Sequence, residues 1–394
     1  MYDPAVTLLG PGVVAQLVLA WFSLTGCAIL TDPGLPTGTS GPLPSRVATV
    51  KDTAPIRPEE RFDEAAVAVY LRAHLPDLVG GHEIAFEQFP GGKANLTYLA
   101  RAGDLELVLR RPPLGRVAPG SHDMAREYRV LSVLHRVYEP APQAYHLCED
   151  PEVMGGVFFV MERRVGQVIR ETWPEALPDT DQYRRTLACN VIDALADLHL
   201  VDYESLDLAD LGHPEGFVER QVRGWTDRWL RAREDDVPAM EMLAERLAAA
   251  VPNPQGTTLL HNDFKIDNLM TGPTGEVVAL FDWDMATIGD PLVDLGTALA
   301  YWSGPGDATY PIFGSQGYTL APVMSKPELA DRYATRTGLD LSGLAFYEAL
   351  ALFRIAVIVQ QIYIRWRRGQ TSDERFGLLG AIVPPVADAA LEML

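Results

Sequence analysis

The sequence predicts an α+β chain of two lobes, a small antiparallel-sheet lobe followed by a larger and mainly helical one. Three observations carry that expectation. Three short β-prone runs lie close together between residues 83 and 110 with glycine-containing turns between them; after Gly166 the apolar pattern changes to long helical periods; and a carboxylate-rich loop flanked by short apolar runs occupies 259–294. At 394 residues the chain is long enough to bury two cores.

Taken in order, a helix is expected over 61–75, where Phe62, Ala66, Val69 and Tyr70 recur at helical spacing and Pro76 ends the run. Residues 83–89, 96–101 and 105–110 follow as an antiparallel meander. Gly91-Gly92 separates the first two runs, and Gly103-Asp104 has the composition of a tight hairpin turn. Ser121 is positioned to cap a helix with Met124, Tyr128, Leu131 and Leu134 on one face, and 157–161 reads as a buried strand. Further on, Leu187, Val191, Leu195 and Leu198 form one helical stripe, and Phe346, Leu350, Phe353 and Val357 another. The implied organisation is an apolar segment and Pro/Gly-rich linker over 1–58, a small lobe over 59–165 and a helical lobe over 166–394.

Composition narrows the function classes. Hydrophobic residues make up 47% and charged residues 22%, which excludes a wholly disordered chain. The 53 Asp and Glu against 33 Lys and Arg give a formal charge of −20, which opposes nucleic acid and acidic membrane surfaces as partners. Cys27, Cys148 and Cys189 are too few and too scattered for a disulfide framework or a zinc ribbon, and suit a reducing compartment.

The most informative stretch reads LLHNDFKIDNLMTGPTGEVVALFDWDMATIGDPLVD over 259–294. His261, Asp263 and Asn268 form H-x-D-x-x-x-x-N, and Asp282 follows at the end of an apolar, β-branched run. Any one of these residues alone would read as a turn or a cap; the ordered set is the signal. Phosphoryl transfer asks little covalent work of a protein, so it needs a group that orients the acceptor hydroxyl and hard oxygen donors for Mg²⁺. Asp263 suits the first role, Asn268 and Asp282 the second, and His261 a hydrogen bond that holds the loop. Lys265 either approaches the transferring phosphate or points to solvent. A hydrolytic metal site built from His261, Asp263 and Asp282 is the chemical rival, and it lacks a second clustered histidine.

The spacing resembles the catalytic loop of protein kinases. The wording, with Phe-Asp-Trp-Asp and Gly-Asp-Pro-Leu-Val-Asp-Leu following, resembles the aminoglycoside phosphotransferase family, and within it the group related to the kinase domain fused to acyl-CoA dehydrogenases. The likeness runs from about Arg61 to the C-terminus. It implies a bilobal protein-kinase-like fold with ATP and Mg²⁺ in the cleft, and an EC 2.7.1-like transfer of the γ-phosphoryl group to an alcohol. By this resemblance Gly91, Gly92 and Asn95 belong to the nucleotide-covering loop, although Gly-Gly between strands also makes a plain hairpin. Arg110 stands where kinases carry a strand lysine; it keeps the charge but presents a planar fork. Glu127 is placed to pair with it, or else is a surface glutamate. Met161, Glu162 and Arg163 correspond to the hinge whose backbone meets adenine. His199 reads as a packed histidine, and Asp290 and Asp294 as braces of the catalytic and metal loops.

The acceptor is expected on the helical lobe, with Gln221, Trp225, Trp229, Arg354, Gln361, Tyr363 and Arg365 as candidates whose alternative is core packing. The group resemblance implies a hydroxyacyl-CoA, in particular a 4-hydroxyacyl-CoA. An aminoglycoside acceptor and a nucleotide-binding pseudokinase without turnover are the alternatives, the latter suggested by Arg110. Need for ATP implies a cytoplasmic setting. Residues 13–30 carry no charge and include a lipoprotein-like Leu24-Thr25-Gly26-Cys27, but Asp3 replaces the positive start of a signal segment, so an over-extended start or a loose tail is the preferred reading.

Overall fold

A computed structural model describes residues 52–90, 95–114, 122–170, 172–304, 307, 309, 320–371 and 373–394. The readings made on the N-terminal segment, on Gly91-Gly92 and on Ser121 lie outside the described residues. The chain divides into two units: 52–128 with Ala144–Arg163, and Arg129–Gln143 with Arg164–Leu394.

In the smaller unit, helix α1 (Glu64–His74) starts at Asp63, whose side chain accepts from the Ala66 amide. Its buried face is Val67, Ala68 and Leu71, whereas Val69 is 65% exposed, which corrects the expected stripe. Seven consecutive apolar residues, 65–71, make helical periodicity degenerate, and the sheet selects the face. Strands β1 (Ile84–Gln88), β2 (Leu96–Ala102) and β3 (Leu105–Arg111) form the expected meander, joined between the last two by Gly103-Asp104 with Gly103 at φ +62°. After α2 (Met124–Leu134), capped by Asp123 on the Arg126 amide, β4 (Ala144–Cys148) and β5 (Phe158–Glu162) complete an antiparallel sheet of order β1-β2-β3-β5-β4.

Alternation along β3 decides the fate of its two arginines. Leu107, Leu109 and Arg111 share one face, and Val108 and Arg110 the other. Leu107 and Leu109 enter the core with Val67, Leu71, Phe86, Tyr98 and Phe158. Arg111 is buried there, donating to the Glu60 carbonyl (2.7 Å), the Tyr98 hydroxyl (2.8 Å) and the Met154 carbonyl. The linker reading extends too far: Ala54 exchanges two 2.8 Å backbone hydrogen bonds with Gln88, and Ile56 is in the core. Pro55 and Pro58 suggested a linker, yet proline is compatible with an extended edge segment.

The larger unit is mainly helical: α3 (Asp181–His199), α4 (Phe217–Ala232), α5 (Pro238–Ala249), α6 (Leu292–Tyr301), α7 (Lys326–Thr337), α8 (Leu344–Arg367) and α9 (Val383–Glu392). Both predicted stripes are buried, Leu187 to Leu198 on α3 and Phe346 to Val357 on α8. Helix α8 is long and apolar enough to cross a membrane by length and composition alone, but most of it is buried among α4, α6 and α9. Short strands support the functional loops: β6 (Gln167–Val168), β8 (Leu269–Thr271) and β9 (Val277–Leu280) make one antiparallel sheet, and β7 (Thr258–Leu260) pairs with β10 (Thr287–Gly289).

Helices α6 and α8 approach closely at Gly296, where a methyl group would stand 2.5 Å from the Tyr347 carbonyl carbon and 2.6 Å from its oxygen. Backbone cannot yield as a side chain does, so Gly296→Ala is expected to cost about 1–3 kcal/mol. Urea unfolding of the purified variant should show a lower midpoint; an unchanged midpoint would mean that the two helices separate freely.

Candidate active site

The loop 261–268 leaves β7 and enters β8, and its first residues are fixed from beneath. His261 is fully buried; its Nε2 lies 2.8 Å from the Phe281 carbonyl and its Nδ1 3.3 Å from the Asp263 amide. Those partners assign the neutral Nε2–H tautomer, which donates at one nitrogen and accepts at the other. With both nitrogens engaged, His261 joins the loop to the end of β9 and presents no free ring atom for chemistry. Asp294 on α6 accepts the His261 and Asn262 amides at 2.7 Å each, one per carboxylate oxygen. Asn262 is left-handed at φ +66°, a conformation that asparagine tolerates.

Behind Asp294 sits His199, with Nδ1 2.6 Å from the Tyr333 hydroxyl and Nε2 3.4 Å from Asp294 Oδ2. Burial raises the Tyr333 pKa, so its hydroxyl stays protonated and donates. Asp290 accepts from the Leu292 amide (3.0 Å), the Gln255 amide (3.2 Å) and the Tyr347 hydroxyl (2.7 Å). Asp294 and His199 thus have the bracing and packing contacts expected of them, whereas Asp290 contacts neither 261–268 nor Asp282 and instead ties the start of α6 to Gln255 and α8.

Asp263 is the most exposed carboxylate of the loop, with a quarter of its side chain accessible. Asn268 Nδ2 donates to its backbone carbonyl (2.8 Å) and to its Oδ2 (2.9 Å). Lys265 does not point to solvent: it is buried, with Nζ 3.2 Å from Asp263 Oδ2, 3.9 Å from Asp267 Oδ2 and 5.9 Å from the centre of the Tyr301 ring. Burial would depress its pKa, but Asp263 and Asp267 outweigh that and hold the ammonium well above its ordinary value. Burial raises the Asp267 pKa, opposed by Lys265. Sequence reasoning missed Asp267, which a single helical turn at Ile266–Asn268 returns toward Lys265 and which alternation of polar residues alone does not signal.

Asp282 follows β9 in a left-handed conformation at φ +71°, and the Phe281 amide beside it donates to the Asn268 carbonyl at 2.9 Å. Asp282 is within electrostatic reach of Lys265. The donor set fits a magnesium ion: with its amide nitrogen committed to Asp263, Asn268 has Oδ1 as its hard donor, and Asp282 supplies a carboxylate. The hydrolytic alternative needs His261 as its nitrogen ligand, and both ring nitrogens of His261 are engaged by Phe281 and Asp263.

In the smaller unit, Arg110 Nε is 3.0 Å from Glu127 Oε2, and the glutamate is 1% exposed. Glu127 is therefore not a surface residue. Asn95 Oδ1 lies 2.8 Å from His122 Nδ1. Met161 and Glu162 lie in β5, paired with Val108 and Leu107. Arg163 is paired with Asp52 and stacked over the Phe89 ring at 4.9 Å, so its side chain serves the unit itself. Among the acceptor candidates, Trp229 is core, donating to Glu241 at 3.3 Å, whereas Trp225, Gln221 and Arg354 come together on α4 and α8. Gln361 and Tyr363 are half-buried, and Arg365 is exposed.

The profile of the phosphotransferase enzyme family APH matches residues 85–347. The chain belongs to that family. Acyl-CoA dehydrogenase family member 11 of Homo sapiens is 32% identical over 349 residues, which are 87% of this chain and 44% of that protein. The chain thus spans less than half the length of the curated relatives it matches. A Ralstonia eutropha JMP134 crystal structure, assigned to the aminoglycoside phosphotransferases, is 30% identical with a TM-score of 0.72, covering 84% of this chain and 98% of that one. A thermostable mutant of aminoglycoside phosphotransferase APH(4)-Ia, in ternary complex with AMP-PNP and hygromycin B, shares the fold at 15% identity and a TM-score of 0.53, covering 82% and 98%. The kinase-like fold and the phosphotransferase resemblance read from the loop motifs are those of this family.

Proposed function

We propose that this phosphotransferase transfers the γ-phosphoryl group of ATP to the hydroxyl of a small metabolite, with a hydroxyacyl thioester as the preferred acceptor. The observation that carries the reading is the convergence of Asn268 and Lys265 on Asp263 Oδ2, at 2.9 and 3.2 Å, in a loop braced by Asp294. Such a carboxylate is oriented by fixed neighbours and partly open to a ligand, which suits a group that holds an acceptor hydroxyl. In the reaction the acceptor oxygen bonds to phosphorus as the bond to the ADP oxygen breaks, and Asp263 receives the hydroxyl proton late in the transfer. Lys265, kept charged, offsets negative charge beside that oxygen. Asn268 and Asp282 would hold Mg²⁺, which supplies charge neutralisation for the phosphates. Arg110, held by Glu127, suits the nucleotide phosphates. The acyl-CoA dehydrogenase names of the relatives favour the thioester acceptor, and dependence on ATP favours the cytoplasm.

A panel of hydroxyacyl-CoAs, aminoglycosides and sugars tests this reading by ADP release with and without magnesium. Asp282→Asn is expected to abolish magnesium-dependent nucleotide binding and turnover together. If both survive that substitution, the metal assignment is wrong; if the native protein binds nucleotide and no acceptor promotes ADP release, the pseudokinase alternative replaces this one.

A further inference from the structure

Among the described residues, a buried cation beside the catalytic loop has no counter-ion in contact. Arg354, on the core helix α8, is 6% exposed; its Nη2 donates to the Asn262 carbonyl at 3.0 Å, and its Nη1 is buried with no hydrogen-bond partner among the described residues. The Arg354 guanidinium lies 5.5 Å from the centre of the Trp225 ring, and the exposed Arg228 guanidinium packs on the same ring at 4.4 Å. Neither arginine forms an ion pair with a carboxylate among the described residues, in a chain whose formal charge is −20. Asp294 and Asp263 act on Arg354 from a distance, and Arg228 opposes it. Asp294 is committed to two amides and Asp263 to Asn268 and Lys265. Two guanidinium groups that pack on one indole ring, repel each other and have no ion-paired acid among the described residues are complemented by an oxyanion from outside the chain.

We propose that Arg354 and Arg228, which share the Trp225 ring, form an oxyanion subsite for the acceptor. The inference rests on Asp263 facing the acceptor hydroxyl, and it names what the other end of that molecule carries: a carboxylate or a phosphate. Arg354 touches both the subsite and the carbonyl of Asn262, the residue before Asp263, so an acceptor anion seated there is registered to the loop that holds the hydroxyl. A polycationic acceptor is disfavoured at the same point.

Calorimetry without ATP separates this inference from the kinase reading, using the full chain with three probes: 4-hydroxybutyrate, coenzyme A and 1,4-butanediol. Binding of at least one anionic probe is expected, the diol binding at least tenfold more weakly. Arg228→Gln, at an exposed position that folding tolerates, should weaken the anionic probe roughly ten- to a hundredfold, the worth of a charge-assisted hydrogen bond. It should leave ATP affinity unchanged. Arg354→Lys, which keeps the charge but loses the fork, should weaken the same probe. Preference for 4-hydroxybutyrate identifies a carboxylate, and preference for coenzyme A a phosphate. Equal binding of diol and anions, or unchanged anion affinity in Arg228→Gln, overturns the subsite whatever the turnover. Absence of ADP release by the native protein with every acceptor overturns the kinase reading instead.

Discussion

Asp263→Ala is expected to lower acceptor-dependent ADP release about 10²–10⁴-fold while the protein still folds and binds nucleotide. The fold should survive because Asn268 Nδ2 also donates to the backbone carbonyl of residue 263, a bond that the substitution keeps. His261 likewise contacts the backbone amide there rather than the side chain. The principal local cost falls on Lys265, which keeps Asp267 and the Tyr301 ring as neighbours. An interaction needed only while the proton leaves the hydroxyl should appear in kcat, with the KM for ATP little altered. Asp263→Asn sharpens the test, since it preserves shape and removes the proton acceptor. Wild-type kcat in the asparagine variant would exclude a proton-accepting role, and joint loss of nucleotide binding and kcat would point to a collapsed loop.

The convergence of this loop's polar side chains was legible because they are close in sequence. Six residues separate His261 from Asn268, and the chain between two short strands has few ways to arrange a carboxylate and an amide. The meander was legible for the same reason: Gly103 occupies a turn that requires φ +62°, and alternation along β3 sends Arg110 and Arg111 to opposite faces. Resolving Lys265 needed three dimensions. A lysine two residues after an aspartate reads equally as solvated or as paired, and only its burial against Asp263 and Asp267 decides.

What the sequence concealed lies where distant segments select among locally equivalent options. Helix α1 offers apolar residues on nearly every face, so the buried side was set by the sheet and not by the period, leaving Val69 exposed. Residues 53–58 have linker composition, yet Ala54 pairs with Gln88, 34 residues away. Arg228 had no local signal: an arginine on an amphipathic helix is ordinary, and its interest arises from Trp225 below it and Arg354 from α8. Glu127 illustrates the reverse case, since kinase-like spacing named its partner Arg110 and only its burial removed the surface alternative.

Asp294→Ala is expected to destabilise the larger unit by about 3–5 kcal/mol. Both carboxylate oxygens accept buried amides at 2.7 Å, from His261 and Asn262, and no solvent reaches the site to replace them. Each amide left unsatisfied costs about 1–3 kcal/mol, and His199 Nε2 loses its acceptor as well. Folded proteins of this kind have about 5–15 kcal/mol in total, so a large share of the margin goes. Asp294→Asn is the informative companion. Its shape is right, but one acceptor becomes an NH₂ donor facing an N–H, so it should lose almost as much stability as alanine. Tyr333→Phe, which removes the hydroxyl 2.6 Å from His199 and leaves Asp294 in position, should cost far less, about 1 kcal/mol. Denaturant unfolding of the three variants should rank them in that order. Turnover of whatever Asp294→Asn protein folds should also fall, because Asn262 would no longer be held in its left-handed conformation and Asp263 would lose its bearing. A wild-type unfolding midpoint for Asp294→Ala would mean that the loop is held by His261 and its bond to Phe281 alone, and that α6 contributes nothing to its geometry.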